Sequence, residues 1–133
     1  MNAQSQLTSG LKVLIVDDAT ESADMLADVV SAFGHRVRVA HLGSVALDLI
    51  DQDAADLAFV DLSLPDVEGY EVAEKIRRRL GERCRIVART GFSGASEREA
   101  ARDAGCDAFL VKPFRVSEIE QLLAAVASSK APD

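Results

Sequence analysis

Short apolar runs alternate with amphipathic stretches along the chain. Four of the five runs are nearly continuous in apolar residues, which is typical of strands buried on both faces. The second run alternates arginine and valine, and this period of two predicts one solvent-facing side and a place at the edge of a sheet. The predicted strands are Lys12–Val16, Arg36–Ala40, Leu57–Val60, Arg85–Ala88 and Ala108–Val111.

Between the strands and after the last one, apolar residues recur at helical spacing. Three of these stretches end at glycines, Gly34, Gly81 and Gly105, as helices often do. A strand–helix unit repeated five times predicts an α/β fold, a (βα)5 doubly wound parallel sheet of five strands. The strand order 2-1-3-4-5 is favoured because it places the alternating second strand at an edge.

The 133 residues are expected to form one domain. We place a disordered leader at residues 1–10, the domain at 11–127 and a frayed tail at 128–133. No apolar run is long enough to cross a membrane, and the polar start does not have the pattern of a signal peptide, so a cytoplasmic location is expected.

The charge and the cysteine content narrow the function further. The net charge of −7, from 15 basic and 22 acidic residues, argues against direct binding to nucleic acid. Cys84 and Cys106 lie outside any metal-binding or redox motif. We expect both to be reduced thiols that lie near each other at the amino end of neighbouring strands.

Polar residues follow four of the buried strands at their carboxyl ends, which is where open α/β sheets form their sites. They are Asp17, Asp18, Asp61, Thr90 and Lys112. Three converging carboxylates repel one another and favour a bound cation, and oxygen ligands without a nearby histidine favour Mg²⁺ over zinc. A lysine and a hydroxyl beside such an ion are typical of phosphoryl chemistry, in which a carboxylate can be the nucleophile.

Four segments that carry these residues resemble the receiver domains of two-component response regulators, which are related to the bacterial chemotaxis regulator. The segments have the order of that family and nearly its spacing, and the resemblance covers about residues 11 to 127. It implies a flavodoxin-like fold. The segments are Val13–Asp18, Val60–Gly69, Ala88–Gly91 and Val111–Phe114.

The resemblance implies a role for each acidic residue of the cluster. Asp61 is similar to the phosphoacceptor, Asp18 to the direct ligand of Mg²⁺, and Asp17 to the acid that helps through water. Ser63 is expected to offer its backbone carbonyl to the metal ion. Gly69 fits the turn that leads into the third helix.

The same resemblance extends to the last two strands. Thr90 is expected to bind a phosphoryl oxygen after activation, Lys112 to pair with the phosphoryl group, and the Lys112–Pro113 peptide to be cis. Phe109 stands at the family's aromatic switch position. Arg89 departs from the family, which usually has an apolar residue before the threonine. Strand alternation points Arg89 away from Thr90, so we expect a structural or surface role for it.

These observations predict a phosphoryl-accepting switch that catalyses only its own phosphorylation and dephosphorylation and is otherwise not an enzyme. The donor is a histidine kinase or a histidine phosphotransfer protein. The face formed by the fourth helix, fifth strand and fifth helix is expected to signal to a protein effector or to form a homodimer. Two alternatives stay open, a phosphorylation-independent interaction module and an aspartyl-phosphate phosphohydrolase. A stand-alone regulator, a phosphorelay shuttle and a receiver cut from a larger protein also stay open.

Overall fold

The structure, a computed structural model, describes residues 10–64, 69–91 and 94–130. Strands and helices alternate, as the hydrophobic pattern predicts. The strands are β1 (Lys12–Val16), β2 (Arg36–Ala40), β3 (Leu57–Asp61), β4 (Arg85–Thr90) and β5 (Ala108–Val111). The helices are α1 (Thr20–Ala32), α2 (Gly43–Gln52), α3 (Gly69–Leu80), α4 (Ala95–Asp103) and α5 (Val116–Lys130), with a 3₁₀ turn at Gly81–Arg83.

The strands form one parallel sheet in the order β2-β1-β3-β4-β5, which confirms the predicted fold class. Two strands are longer than predicted, because β3 includes Asp61 and β4 includes Arg89 and Thr90. The ladder continues past the apolar run, with Asp61 opposite Arg89 and Thr90 opposite Val111. Asp61 and Thr90 are therefore held by the sheet itself, whereas Asp17, Asp18 and Lys112 directly follow their strands.

Each face of the sheet carries its own hydrophobic core. One core joins Val13, Ile15, Phe59 and Val87 to helices α1 and α5. The other joins alternate residues of the same strands to helices α2 and α3 and to the end of α4. Because neighbouring residues of a strand point to opposite faces, the two cores decide which side of the sheet each site residue approaches.

The predicted helix ends agree with the structure at all three glycines. Gly34, Gly81 and Gly105 have φ angles of 93°, 60° and 100°, a region that favours glycine. Helix α5 continues to Lys130, so residues 128–130 of the predicted tail are helical, while 131–133 lie outside the described residues. The leader falls almost entirely on residues 1–9, which also lie outside them. In the part of the chain that the structure describes, no helix is both long and apolar enough to span a membrane.

Gly69 begins α3 directly behind the end of β3. A methyl group on its Cα would overlap the carbonyl oxygen of Asp61 and the Cα of Leu62. The close approach needs glycine, and it fixes the backbone on which the Asp61 carboxylate stands. We expect Gly69→Ala to lower the free energy of unfolding by about 2 kcal/mol, because backbone atoms must move apart.

Chemical denaturation of Gly69→Ala beside Gly81→Ala measures this cost. A Cβ atom added at Gly81 would meet no other atom within 4 Å, and the φ of this residue is 60°. Alanine there should therefore cost only about 1 kcal/mol of backbone strain. Equal losses of stability in the two variants would show that the contact with Asp61 does not restrict residue 69.

Both cysteines are free thiols, as expected. Cys84 is buried and Cys106 is partly buried. Burial, with the charge of Asp107, raises the pKa of the Cys106 thiol from 9.0 to about 11. The folded state favours the neutral thiol. Ionisation of this thiol should therefore lower the free energy of unfolding only as the pH rises from about 9 through 11.

We expect Cys106 to react slowly with iodoacetamide at pH 8, because the thiolate is the reactive form. Mass spectrometry of a Cys84→Ser variant isolates this thiol, and the same protein unfolded in denaturant gives the reference rate. A native rate equal to the unfolded rate would contradict the raised pKa and the partial burial.

Candidate functional site

Three carboxylates meet at the carboxyl end of the sheet. Each of Asp17, Asp18 and Asp61 places one oxygen within 4.8 Å of the oxygens of the other two. Asp17 follows β1 and is wholly buried, Asp61 ends β3 with 3% of its surface exposed, and Asp18 is exposed. The structure thus brings together the three acids that the sequence predicts, at the carboxyl ends of β1 and β3.

Asp61 is held at both carboxylate oxygens. Its Oδ1 accepts a hydrogen bond of 2.8 Å from the Ser63 N–H, and its Oδ2 lies 2.6 Å from Nζ of Lys112. Lys112 follows β5, and its N–H donates to the carbonyl oxygen of Thr90 at 2.8 Å. The Lys112–Pro113 peptide is cis, as predicted. The buried carboxylate therefore faces a lysine ammonium at a fixed position.

Asp17 has a denser set of partners than the sequence indicates. Its Oδ1 accepts from the Ala19 N–H at 2.9 Å, and its Oδ2 lies 2.8 Å from Nη1 of Arg89. Burial alone acts to raise the pKa of this carboxyl. The hydrogen bonds with Ala19 and Ser22 act against burial. The charges of Lys112 and Arg89 add to them, and the pKa of Asp17 lies below its usual value of 3.8.

Arg89 is the residue that sequence reasoning misplaced. A surface role is wrong, because the side chain is wholly buried. Alternation correctly points it away from Thr90, to the face of α1 and α5, where Nη2 donates to the Ser22 hydroxyl at 2.9 Å. The guanidinium also lies over the ring of Phe114, 5.6 Å from its centroid. The structural half of the expectation is confirmed, and the contact with Asp17 is new.

Thr90 and Phe109 approach the opposite face of the sheet. Thr90 is the last residue of β4 and is 4% exposed. Phe109 pairs with Ala88, two residues before Thr90, and therefore shares its face. Phe109 is partly buried, and the guanidinium of Arg98 in α4 lies over its ring at 4.7 Å. The predicted switch pair thus lies between β4, β5 and α4.

The arrangement combines carboxylate oxygens that suit a hard cation with groups that suit an anion. Three acids face two cations, Arg89 and Lys112, so one negative charge remains and the expected mutual repulsion is partly offset. Carboxylate oxygens that lie within a few ångströms of one another are suitable ligands for Mg²⁺. Lys112 and Thr90 offer donors to phosphoryl oxygens at the same end of the sheet. Residues 65–68, which belong to the family-like segment Val60–Gly69, lie outside the described residues.

Solved structures share this architecture. The CheY-like receiver domain protein of Methanospirillum hungatei has a TM-score of 0.80 and 28% identity, covering 91% of this chain and 99% of that one. Chemotaxis protein CheY4 of Vibrio cholerae has a TM-score of 0.83 and 24% identity, covering 89% and 99%. The second likeness is one of fold alone.

Sequence comparisons reach the same family. The response regulator MprA of Mycobacterium tuberculosis is 33% identical over 123 residues, covering 92% of this chain and 53% of that protein. MprA of Mycolicibacterium vanbaalenii is 34% identical, with coverage of 92% and 53%. The chain spans about half the length of these curated relatives. The sequence model of the response regulator receiver domain matches residues 13–124, from β1 into α5. With that match and the acid, threonine and lysine positions in place, the chain belongs to the response regulator receiver domain family of two-component signalling.

Proposed function

We propose that Asp61 accepts a phosphoryl group from a phosphohistidine on a histidine kinase or a histidine phosphotransfer protein. A carboxylate oxygen of Asp61 attacks phosphorus, the P–N bond breaks, and the bonding pair leaves with the imidazole nitrogen. The observation that carries this proposal is the buried Asp61 carboxylate, held between Lys112 at 2.6 Å and the Ser63 N–H at 2.8 Å. Attack of water on the phosphorus of the resulting acyl phosphate breaks the P–O bond to Asp61, releases inorganic phosphate and returns the carboxylate.

The acidic cluster is the proposed Mg²⁺ site. Asp18 and Asp61 would bind the ion directly, Asp17 through water, and Ser63 through its backbone carbonyl. The close grouping of the three carboxylates supports this assignment. A bound Mg²⁺ neutralises charge on the transferred phosphoryl group, which the carboxylates alone would repel.

Lys112 and Thr90 are proposed to bind the phosphoryl oxygens. Nζ of Lys112 already lies 2.6 Å from Oδ2 of Asp61, so its ammonium can also bind an oxygen of the new phosphoryl group. Thr90 stands at the end of the adjacent strand, where its hydroxyl can donate after a short shift. The domain thereby supplies position and charge neutralisation for its own modification, and hydrolysis ends the signal.

The output surface is proposed to be the face of α4, β5 and α5. Phe109 of β5 shares its face of the sheet with Thr90, and the guanidinium of Arg98 lies over its ring, so a shift of Thr90 is proposed to reach α4 through this ring. A downstream protein effector, or a second copy of this chain, is the proposed occupant of that face. We do not propose that the receiver domain itself binds nucleic acid.

Incubation with acetyl phosphate and Mg²⁺, followed by measurement of the intact mass, tests the proposed function. We expect wild type to gain one phosphoryl group and Asp61→Asn to gain none. Asp24→Asn, which changes an exposed acid of α1, is the matched control and should be modified like wild type. No gain of mass in wild type favours the interaction module, and turnover of an added phosphate monoester favours the phosphohydrolase.

A further inference from the structure

Arg89 has no task in the proposed phosphoryl transfer, although its side chain contacts Asp17, a member of the acidic cluster. Both side chains are fully buried, and Nη1 of Arg89 lies 2.8 Å from Oδ2 of Asp17. Nη2 of Arg89 donates to the Ser22 hydroxyl, and this second contact fixes the orientation of the guanidinium group. The Nε of Arg89 has no hydrogen-bond partner among the described residues. A guanidinium placed here at such a cost of desolvation calls for a reason beyond packing.

The pair changes what Asp17 can offer to a metal ion. Its Oδ1 already accepts from the Ala19 N–H, and its Oδ2 faces Arg89, with Lys112 Nζ at 3.9 Å. A carboxylate oxygen can accept a second partner. A divalent ion bound at Oδ2, however, would lie within a few ångströms of a fixed positive charge in a buried place, where like charges repel strongly. Asp18 and Asp61 have no such contact with Arg89 among the described ion pairs.

We propose that Arg89 is a resident counter-cation of the acidic pocket, which occupies Asp17 in place of a divalent ion and lowers the affinity of the pocket for Mg²⁺. Direct ligation is then left to Asp18 and Asp61. The inference deepens the proposed function, because it concerns the same metal site. It goes beyond that function by assigning the affinity to a residue whose side chain forms its described ion pair with Asp17 and not with Asp61.

Arg89→Met tests the proposal, because methionine keeps a long apolar stem and removes the charge. We expect the dissociation constant for Mg²⁺, measured by isothermal titration calorimetry at fixed ionic strength, to fall roughly tenfold relative to wild type. Arg85→Met is the matched control. Arg85 is exposed at the other end of the same strand, so its loss should leave the constant unchanged.

A second pair of variants separates charge from folding. Asp17→Asn leaves the guanidinium buried beside a neutral amide, whereas Asp17→Asn combined with Arg89→Met removes both members of the pair. We expect the double variant to bind Mg²⁺ roughly tenfold more tightly than Asp17→Asn alone. This comparison decides the matter even where Arg89→Met by itself fails to fold, because removing both partners leaves no buried lone charge.

Each outcome has one meaning. Tighter binding in both comparisons supports the resident counter-cation. Equal or weaker binding in folded Arg89→Met, or equal binding by the Asp17→Asn single and double variants, overturns it and leaves the proposed metal site intact. Absence of Mg²⁺ binding in wild type and in every variant overturns both this inference and the metal site of the proposed function.

Discussion

Replacing Lys112 with methionine should slow the phosphorylation of Asp61 by acetyl phosphate about a hundredfold, the usual cost of losing one charge-stabilising donor at a reacting group. Nζ of Lys112 lies 2.6 Å from Oδ2 of a carboxylate that is almost wholly buried. In the proposed transfer the phosphoryl group brings negative charge to this oxygen, and the ammonium already lies beside it. The rate of mass gain at saturating Mg²⁺ measures the effect.

The chain offers a matched control for this substitution. Lys12 forms an ion pair of 2.9 Å with Asp53, but Lys12 is partly exposed, Asp53 is exposed, and the pair lies at the amino end of the sheet. Lys12→Met should therefore leave the rate unchanged. A Lys112→Met protein that reacts as fast as wild type would remove the lysine from the proposed chemistry, whereas equal slowing in both variants would indicate an effect of overall charge.

The fold was predictable because two kinds of periodicity agree. Continuous apolar runs at β1 and β3 require cover on both faces, and the alternating run at β2 requires an edge, which together leave few strand orders. The strand ends were less predictable. The apolar pattern stops before Asp61 and Thr90, while the backbone ladder continues through them because a parallel neighbour extends beside each.

The location of the site was predictable for a geometric reason. The carboxyl ends of parallel strands meet at one edge of the sheet, so polar residues at the ends of β3 and β4 and directly after β1 and β5 must come together. The pairing among them was not predictable. The choice of the acid that pairs with Lys112 depends on side-chain directions, which strand spacing alone does not fix. The same holds for the position of Arg98 of α4 over the ring of Phe109.

Arg89 shows where pattern reasoning left out a constraint. Strand β4 lies between β3 and β5 and is covered by helices on both faces, so an arginine near its end cannot easily reach water. A buried guanidinium needs an acidic partner, and on the α1 side of the sheet the acid that follows β1 is within reach. The signal was therefore present in the strand order, because a charged residue inside a doubly covered strand indicates a buried ion pair.

Thr90→Ala should leave Asp61 able to accept a phosphoryl group while removing most of the response on the face of α4, β5 and α5. Thr90 ends β4, is nearly buried and shares its face of the sheet with Phe109. In the proposed switch, the hydroxyl turns toward the phosphoryl group and vacates space on the face that Phe109 shares, so that the ring leaves the guanidinium of Arg98. Alanine has no hydroxyl to draw inward, so phosphorylation no longer favours one state over the other.

Amide chemical shifts of α4 and β5, recorded with and without beryllofluoride and Mg²⁺, measure this coupling, and Thr90→Ser is the matched control. Serine keeps the hydroxyl and should keep the shift changes, whereas alanine should lose most of them while the residues around Asp61 still respond. A full response of α4 and β5 in Thr90→Ala would show that the threonine does not carry the signal. A wild-type response confined to the surroundings of Asp61 would exclude this face as the output, because a shift in population must reach every residue that differs between the two states.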